Sequence, residues 1–162
     1  MLSELRSIQI TILFLISLAH FQVLLAQQQI TEEKAVAERT LLLINNYRQS
    51  KGLPALIAIP VIYEECLAHS FVMAESRKIN HDNFEKRIRK INEMLNVSAS
   101  AENVAYNEGL DNPAEMAFKQ WKGSSGHHKN ILSKSYTHTG LAVVKGKNNS
   151  YYFTQIFVRV IH

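Results

Sequence analysis

The chain of 162 residues carries one cysteine, Cys66, so no internal disulfide can form and the fold must be held by packing. It contains no His-Glu-x-x-His pair, so any zinc site would have to collect its ligands from separate segments. It has no Gly-x-Ser-x-Gly stretch, which removes the strained serine elbow of one large hydrolase class. No internal repeat, long linker or low-complexity tract interrupts it. The net charge is only +4, a mild bias toward anionic surfaces and too little to mark a dedicated nucleic-acid binder. What it has in quantity is apolar residues, 46% of the chain, which excludes disorder. A domain of this length buries roughly two-thirds of its unfolded surface and needs no covalent staple.

The apolar residues are concentrated first in residues 8–26, IQITILFLISLAHFQVLLA, with Arg6 before them and Gln27 to Gln29 after. A short positive start, an apolar run and a small terminal residue are the marks of a secretory signal peptide, with cleavage expected after Ala26. The competing reading is a membrane anchor. His20 and Gln22 interrupt the second half of the run, while a spanning helix wants ~20 apolar residues, which favours cleavage. The mature chain is then residues 27–162, expected to be secreted, either extracellular or periplasmic. Asn96-Val97-Ser98 and Asn148-Asn149-Ser150 would be glycosylation sequons in a eukaryote, a pattern common by chance.

In the mature part, Thr31 followed by Glu32 and Glu33 reads as a helix start, with the helix running to about Ser50 and Val36, Leu43 and Tyr47 on one face. Gly52 and Pro54 stop it. A second helix begins at Pro60, with Ile62, Cys66, Leu67, Phe71 and Ala74 as its buried stripe and Cys66 as an inert thiol. A third spans about 82–95, on Phe84, Ile88, Ile91 and Leu95, and its basic run Lys86, Arg87, Arg89, Lys90 is expected to be a solvated face. Residues 101–106 read as a short strand. A fourth helix starts at Asn112-Pro113 and carries Ala117, Phe118 and Trp121. Residues 140–145 and 151–161, rich in β-branched and aromatic residues and separated by Gly146 to Asn149, form a β-hairpin. Helices followed by a terminal hairpin give an α+β class, with helices packed on a small antiparallel sheet.

Three patches put titratable or amide side chains at element ends, where scaffold-borne sites tend to lie. They are Asn80-His81-Asp82-Asn83-Phe84, Ala101-Glu102-Asn103-Val104-Ala105, and the run from Trp121 to Leu132. Each has an ordinary reading too. His81 suits a helix start, Glu102 suits an ion pair with Arg87 or Arg48, and His127 and His128 suit a turn before a short helix. Asn103 and Asn130 suit backbone bonding at bends.

Taken in order, NNYRQSKGLPAL, NHDNFEKR, AENVAY, WKGSSGHHKNIL, THTGLAVV and YYFTQIF resemble the motifs of the CAP superfamily, over about residues 38–160. That superfamily holds cysteine-rich secretory proteins, venom antigens and plant pathogenesis-related proteins. The chain is most similar to short, disulfide-free bacterial-type members, with Ser125 and His128 where their motif has proline and arginine. Animal and plant members carry a glutamate and a second histidine at the places of Ser124 and Tyr152, so the tetrad of two histidines and two glutamates is incomplete. His81 and Glu102 match tetrad positions, and His127 matches the bacterial-type histidine.

The resemblance implies a three-layer α–β–α sandwich with a shallow cleft. Some members bind zinc or another divalent metal through cleft histidines, others bind sterols, fatty acids or phospholipids. By that likeness His81, Glu102 and His127 are the metal-ligand and catalytic candidates, and Asn103, Ser124 and Tyr152 the ligand-facing ones. Two imidazoles and a carboxylate would leave an open position for water on zinc, and such a site could serve a metal-dependent hydrolase. A serine mechanism through Ser124 or Ser125 lacks an evident acid to orient the histidine. A cleft flanked by Tyr106, Trp121, Tyr151 and Phe153 could hold a small apolar molecule or a glycan, although such spacing more often marks core. A secreted nuclease using Gly126-His127-His128 is the remote alternative, and no nucleic-acid partner is expected. The favoured reading is a binding module rather than an enzyme.

Overall fold

The computed structural model describes residues 2–161, with side chains described from residue 15 onward. Helix α1 spans Leu2–Ser50. The chain divides into two units, residues 1–32 and 33–162. In the first, the apolar side chains of Leu15, Phe21, Val23, Leu24 and Ile30 are exposed. Among the described residues no helix is long and apolar enough to cross a membrane. The expected helix start at Thr31 is corrected. The polar stretch from Gln27 holds good helix formers and no breaker, and the Thr31 hydroxyl donates back to the carbonyl of Gln27, as in a helix interior.

The second unit is built from β1 (Ile57–Ala58), α2 (Pro60–Ser76), α3 (Phe84–Asn92), β2 (Val97–Glu108), α4 (Pro113–Gly123), α5 (Ser125–Leu132), β3 (His138–Lys145) and β4 (Ser150–Val160), on the last turns of α1. The sheet has the order β1-β3-β4-β2. Its three long strands are antiparallel, and the two-residue β1 joins β3 in parallel, a strand too short to leave a sequence signal. Residues 97–108 form one long strand because its partner β4 runs its full length, from Val97 beside Val160 to Glu108 beside Ser150.

Strand alternation sorts the core into two layers. On β4, Tyr151, Phe153 and Phe157 pack with Ala37, Ile44, Ala117, Trp121 and Ile131, so the end of α1, α4 and α5 cover one face. Ile156 and Val158 pack with Ile62, Cys66 and Ile91, so α2 and α3 cover the other. This is the α–β–α sandwich. The largest of these side chains, Trp121, Phe153 and Phe157, are fully buried, and each such side chain contributes ~1.5–3 kcal/mol. Trp121, Tyr151 and Phe153 are therefore core and do not flank a cleft; only Tyr106 of the four is half-buried.

The face of α2 also differs from the expected stripe. Its buried residues are Ile62, Cys66, His69, Ser70 and Met73, while Phe71 is 56% exposed. Two polar residues hold the inward register because each finds a partner there. Ser70 donates to Thr154 Oγ1, and His69 Nε2 meets the Asn80 carbonyl. Helix α2 lies so close to β3 that a Cβ on Gly140 would stand 2.3 Å from the backbone nitrogen of Tyr63. Cys66 is sealed and bonds the Gly140 carbonyl, and burial pushes its thiol far up, which makes it unreactive. Buried Arg48 donates to the carbonyls of Pro54, Ile131 and Ser133, tying α1 to the segment after α5.

Candidate functional site

Strand β2 is one edge of the sheet, and its alternation decides what each layer receives. Glu102 points to the layer of α2 and α3; Asn103 points to the layer of α4 and α5. Glu102 is a buried carboxylate with both oxygens engaged. Oε2 accepts from Arg87 Nη2 at 2.5 Å, and Oε1 meets His81 Nδ1 at 2.9 Å. The side chains of Glu102 and Arg87 are 2% and 7% exposed, that of His81 54%. Arg87 further donates to the Asp82 carbonyl at 2.6 Å, which fixes the turn carrying His81.

The basic run of α3 is thus not uniformly a wet face. Arg87 turns inward because Glu102 is buried beneath it, while Lys90 stays outside and pairs with Glu65. The guanidinium supplies the charge that keeps a carboxylate tolerable in that place. His81 is left with Nδ1 held and Nε2 free of any hydrogen bond among the described residues. A carboxylate that fixes one ring nitrogen orients the other, as in the outer shell of metal-bound histidines.

His127 reaches the same end of β2 from the opposite layer. It sits on α5, not in a turn, and its carbonyl accepts from Asn103 Nδ2 at 3.2 Å. Asn130, one helical turn on, donates to Asn103 Oδ1 and to the Glu102 carbonyl. Asn103 is fully buried, so these amides anchor α5 on the strand; they do so from a strand and a helix rather than from bends. Burial holds the His127 imidazole below the ordinary histidine range, and the nearby charge of His81 lowers it further. His128 turns the other way, its Nε2 3.0 Å from the Tyr47 hydroxyl.

Ser124 and Tyr152 are the remaining candidates. Ser124 is the first residue before α5, and neither it nor Ser125 bonds His127 among the described residues. Tyr152 pairs in register with Tyr106, four residues along β2 from Glu102, a separation of about 13 Å along a strand. His69 was missed by sequence reading. It is buried beside the pair, and burial depresses its basicity. Its place in the inward register of α2, seven residues after Ile62, was the available signal. Among the described residues, no group of three or more His, Cys, Asp or Glu side chains is arranged to hold a metal ion.

A model of the cysteine-rich secretory protein family, CAP, matches residues 41–157. The chain belongs to the CAP family. It is 31% identical over 136 residues to the uncharacterized membrane protein YlbC of Bacillus subtilis, covering 81% of this chain and 35% of YlbC. The chain thus spans about a third of that relative's length. Among solved structures, an extracellular SCP-domain protein from Bacillus anthracis superposes with a TM-score of 0.66 at 23% identity, over 78% of this chain and 41% of that one. An outer surface protein from Borrelia burgdorferi gives 0.69 at 18% identity, over 79% of this chain and 95% of its own. These likenesses establish the fold. The CAP domain of this chain carries His81 and His127 beside strand β2, on a scaffold without disulfides.

Proposed function

We propose that this CAP-domain protein is an exported binding module whose cleft holds a divalent cation, zinc being the natural candidate, through His81 and His127. The observation that carries this reading is the His81–Glu102–Arg87 chain. It spends a buried, charge-compensated carboxylate on fixing one exposed imidazole with Nε2 outward. His127 supports it, because a ring held neutral is in the form that ligates.

The residues fit a shallow two-imidazole site better than a three-ligand one. Both oxygens of Glu102 are already bonded, so Glu102 orients His81 and does not ligate. Arg87 beside it disfavours a second cation, which argues for modest affinity. A zinc ion held in this way would keep positions for water or for an oxygen of a ligand and would act there as a Lewis acid. A metal-dependent hydrolase is the second reading, favoured by the same oriented histidine. Export is supported by residues 8–26 and by the exposed apolar side chains of the first unit, and by the extracellular nature of the Bacillus anthracis protein.

The test is calorimetric titration of zinc into the protein beside His81→Ala and His127→Ala variants. Saturable binding lost in both variants is expected, and justifies screening hydrolase substrates. Absence of binding, or binding indifferent to both substitutions, removes the metal reading.

A further inference from the structure

We infer that a recess at the far end of the β2–β4 pair is a separate binding site for an acidic saccharide. It has a volume of about 410 Å³ and is lined by Arg77, Tyr106, Glu108, Lys147, Asn148 and Tyr152, among others. That size suits one or two sugar rings. The inference is independent of the metal reading, since no residue of the His81 cleft lines the recess.

Three observations carry it. First, Arg77 and Lys147 make no ion pair among the described residues, so two cations face the recess uncompensated by partners of their own. Second, Tyr152 is only 4% exposed, yet its hydroxyl has no hydrogen-bond partner among the described residues and the side chain lines the recess. The hydroxyl is not among the sealed polar atoms that lack a partner, so it reaches the recess and can bond what fills it. Third, the backbone is held in the left-handed region at Arg77 (φ 54°) and at Asn148 (φ 57°). Asparagine adopts that region readily and arginine rarely, and a glycine more often ends a helix there. This left-handed end of α2 sets the Arg77 guanidinium on the rim.

The mixture of groups selects the ligand. A small inorganic anion would meet the carboxylate of Glu108 as well as the two cations. Glu108 accepts from the Tyr106 hydroxyl, and its other oxygen is without a partner among the described residues, ready to accept from a hydroxyl group. Tyr106 is half-buried, with its ring 5.0 Å from that of Tyr152, and offers an apolar face. A ligand with a carboxylate, hydroxyl donors and a flat apolar ring edge satisfies all of these, and a uronic-acid sugar has that chemistry.

The experiment titrates an oligogalacturonic acid into the protein by calorimetry, with a neutral oligogalactose of equal length as control. Saturable, salt-sensitive binding of the acidic sugar and none of the neutral one is expected. Arg77→Gly suits the left-handed backbone and so keeps the fold; it and Lys147→Ala should each weaken binding by at least ~tenfold, the loss of one charge-assisted contact. Tyr152→Phe should weaken it several-fold with melting temperature preserved. No saturable binding of the acidic sugar, equal binding of the neutral one, or unchanged affinity in both cation variants overturns the inference.

Discussion

Replacing Arg87 by methionine keeps most of the buried stem and removes the charge that compensates Glu102. The carboxylate would stay almost wholly covered, with only the exposed His81 ring still bonded to it. Breaking one side of a buried pair costs ~3–5 kcal/mol, because the other charge is left without compensation. The bond from Arg87 to the Asp82 carbonyl adds ~1 kcal/mol, and retained packing returns a similar amount. A net loss of about 4 kcal/mol, at roughly 4 °C per kcal/mol for a domain of this size, lowers the melting temperature by about 15 °C. Differential scanning calorimetry at neutral pH reads this directly. The double variant Arg87→Met/Glu102→Gln no longer buries a lone charge and should recover at least ~1.5 kcal/mol over Arg87→Met. A shift of under ~2 °C in the single variant, or a double variant no more stable than the single, would falsify the description of this pair as sealed.

Other consequences follow from the packing. Gly140→Ala would press a methyl into the backbone of Ile62 and Tyr63 and should cost ~3 kcal/mol or more, or prevent folding, as read by urea unfolding. Asn103→Ala breaks the amide link between β2 and α5 and should lower stability by ~1–3 kcal/mol; an unchanged melting temperature with lost ligand binding would show Asn103 to be a ligand contact instead. His69 and His127 are both held below the ordinary histidine range, chiefly by burial. Their stabilising contribution is complete above the unfolded value of about 6.5 and is lost as pH falls through it toward their depressed values. The melting temperature should therefore drop between neutral pH and about 5, and by less in His69→Gln, checked by thermal scans across that range.

Much of the fold was legible in the sequence because apolar spacing reports burial. Phe84, Ile88 and Ile91 do pack one face of α3, with Leu95 joining the same cluster beyond the helix end, Pro60 and Pro113 do open helices, and the terminal hairpin lies within two residues of its expected limits. Spacing fails where a polar residue finds an inward partner. His69 and Ser70 displaced Phe71 from the expected stripe of α2, and Arg87 left the wet face of α3 for Glu102. A carboxylate flanked by alternatives such as Arg87 and Arg48 cannot announce its partner, since the choice depends on which layer each residue enters. Arg48 in fact serves four carbonyls on the other side of the sheet. That His81 and His127 stand beside neighbouring residues of β2, on opposite layers, was suggested by family motifs alone; no spacing could show which layer each enters.

The cation reading is tested most directly by crystals of the protein soaked in zinc, with an anomalous difference map collected at the zinc edge. A single peak ~2.0–2.1 Å from Nε2 of His81 and from a ring nitrogen of His127, with Glu102 still bonded to Arg87, is the predicted result. A peak coordinated by Glu102 itself, or no peak beside either histidine at full soak, would contradict it.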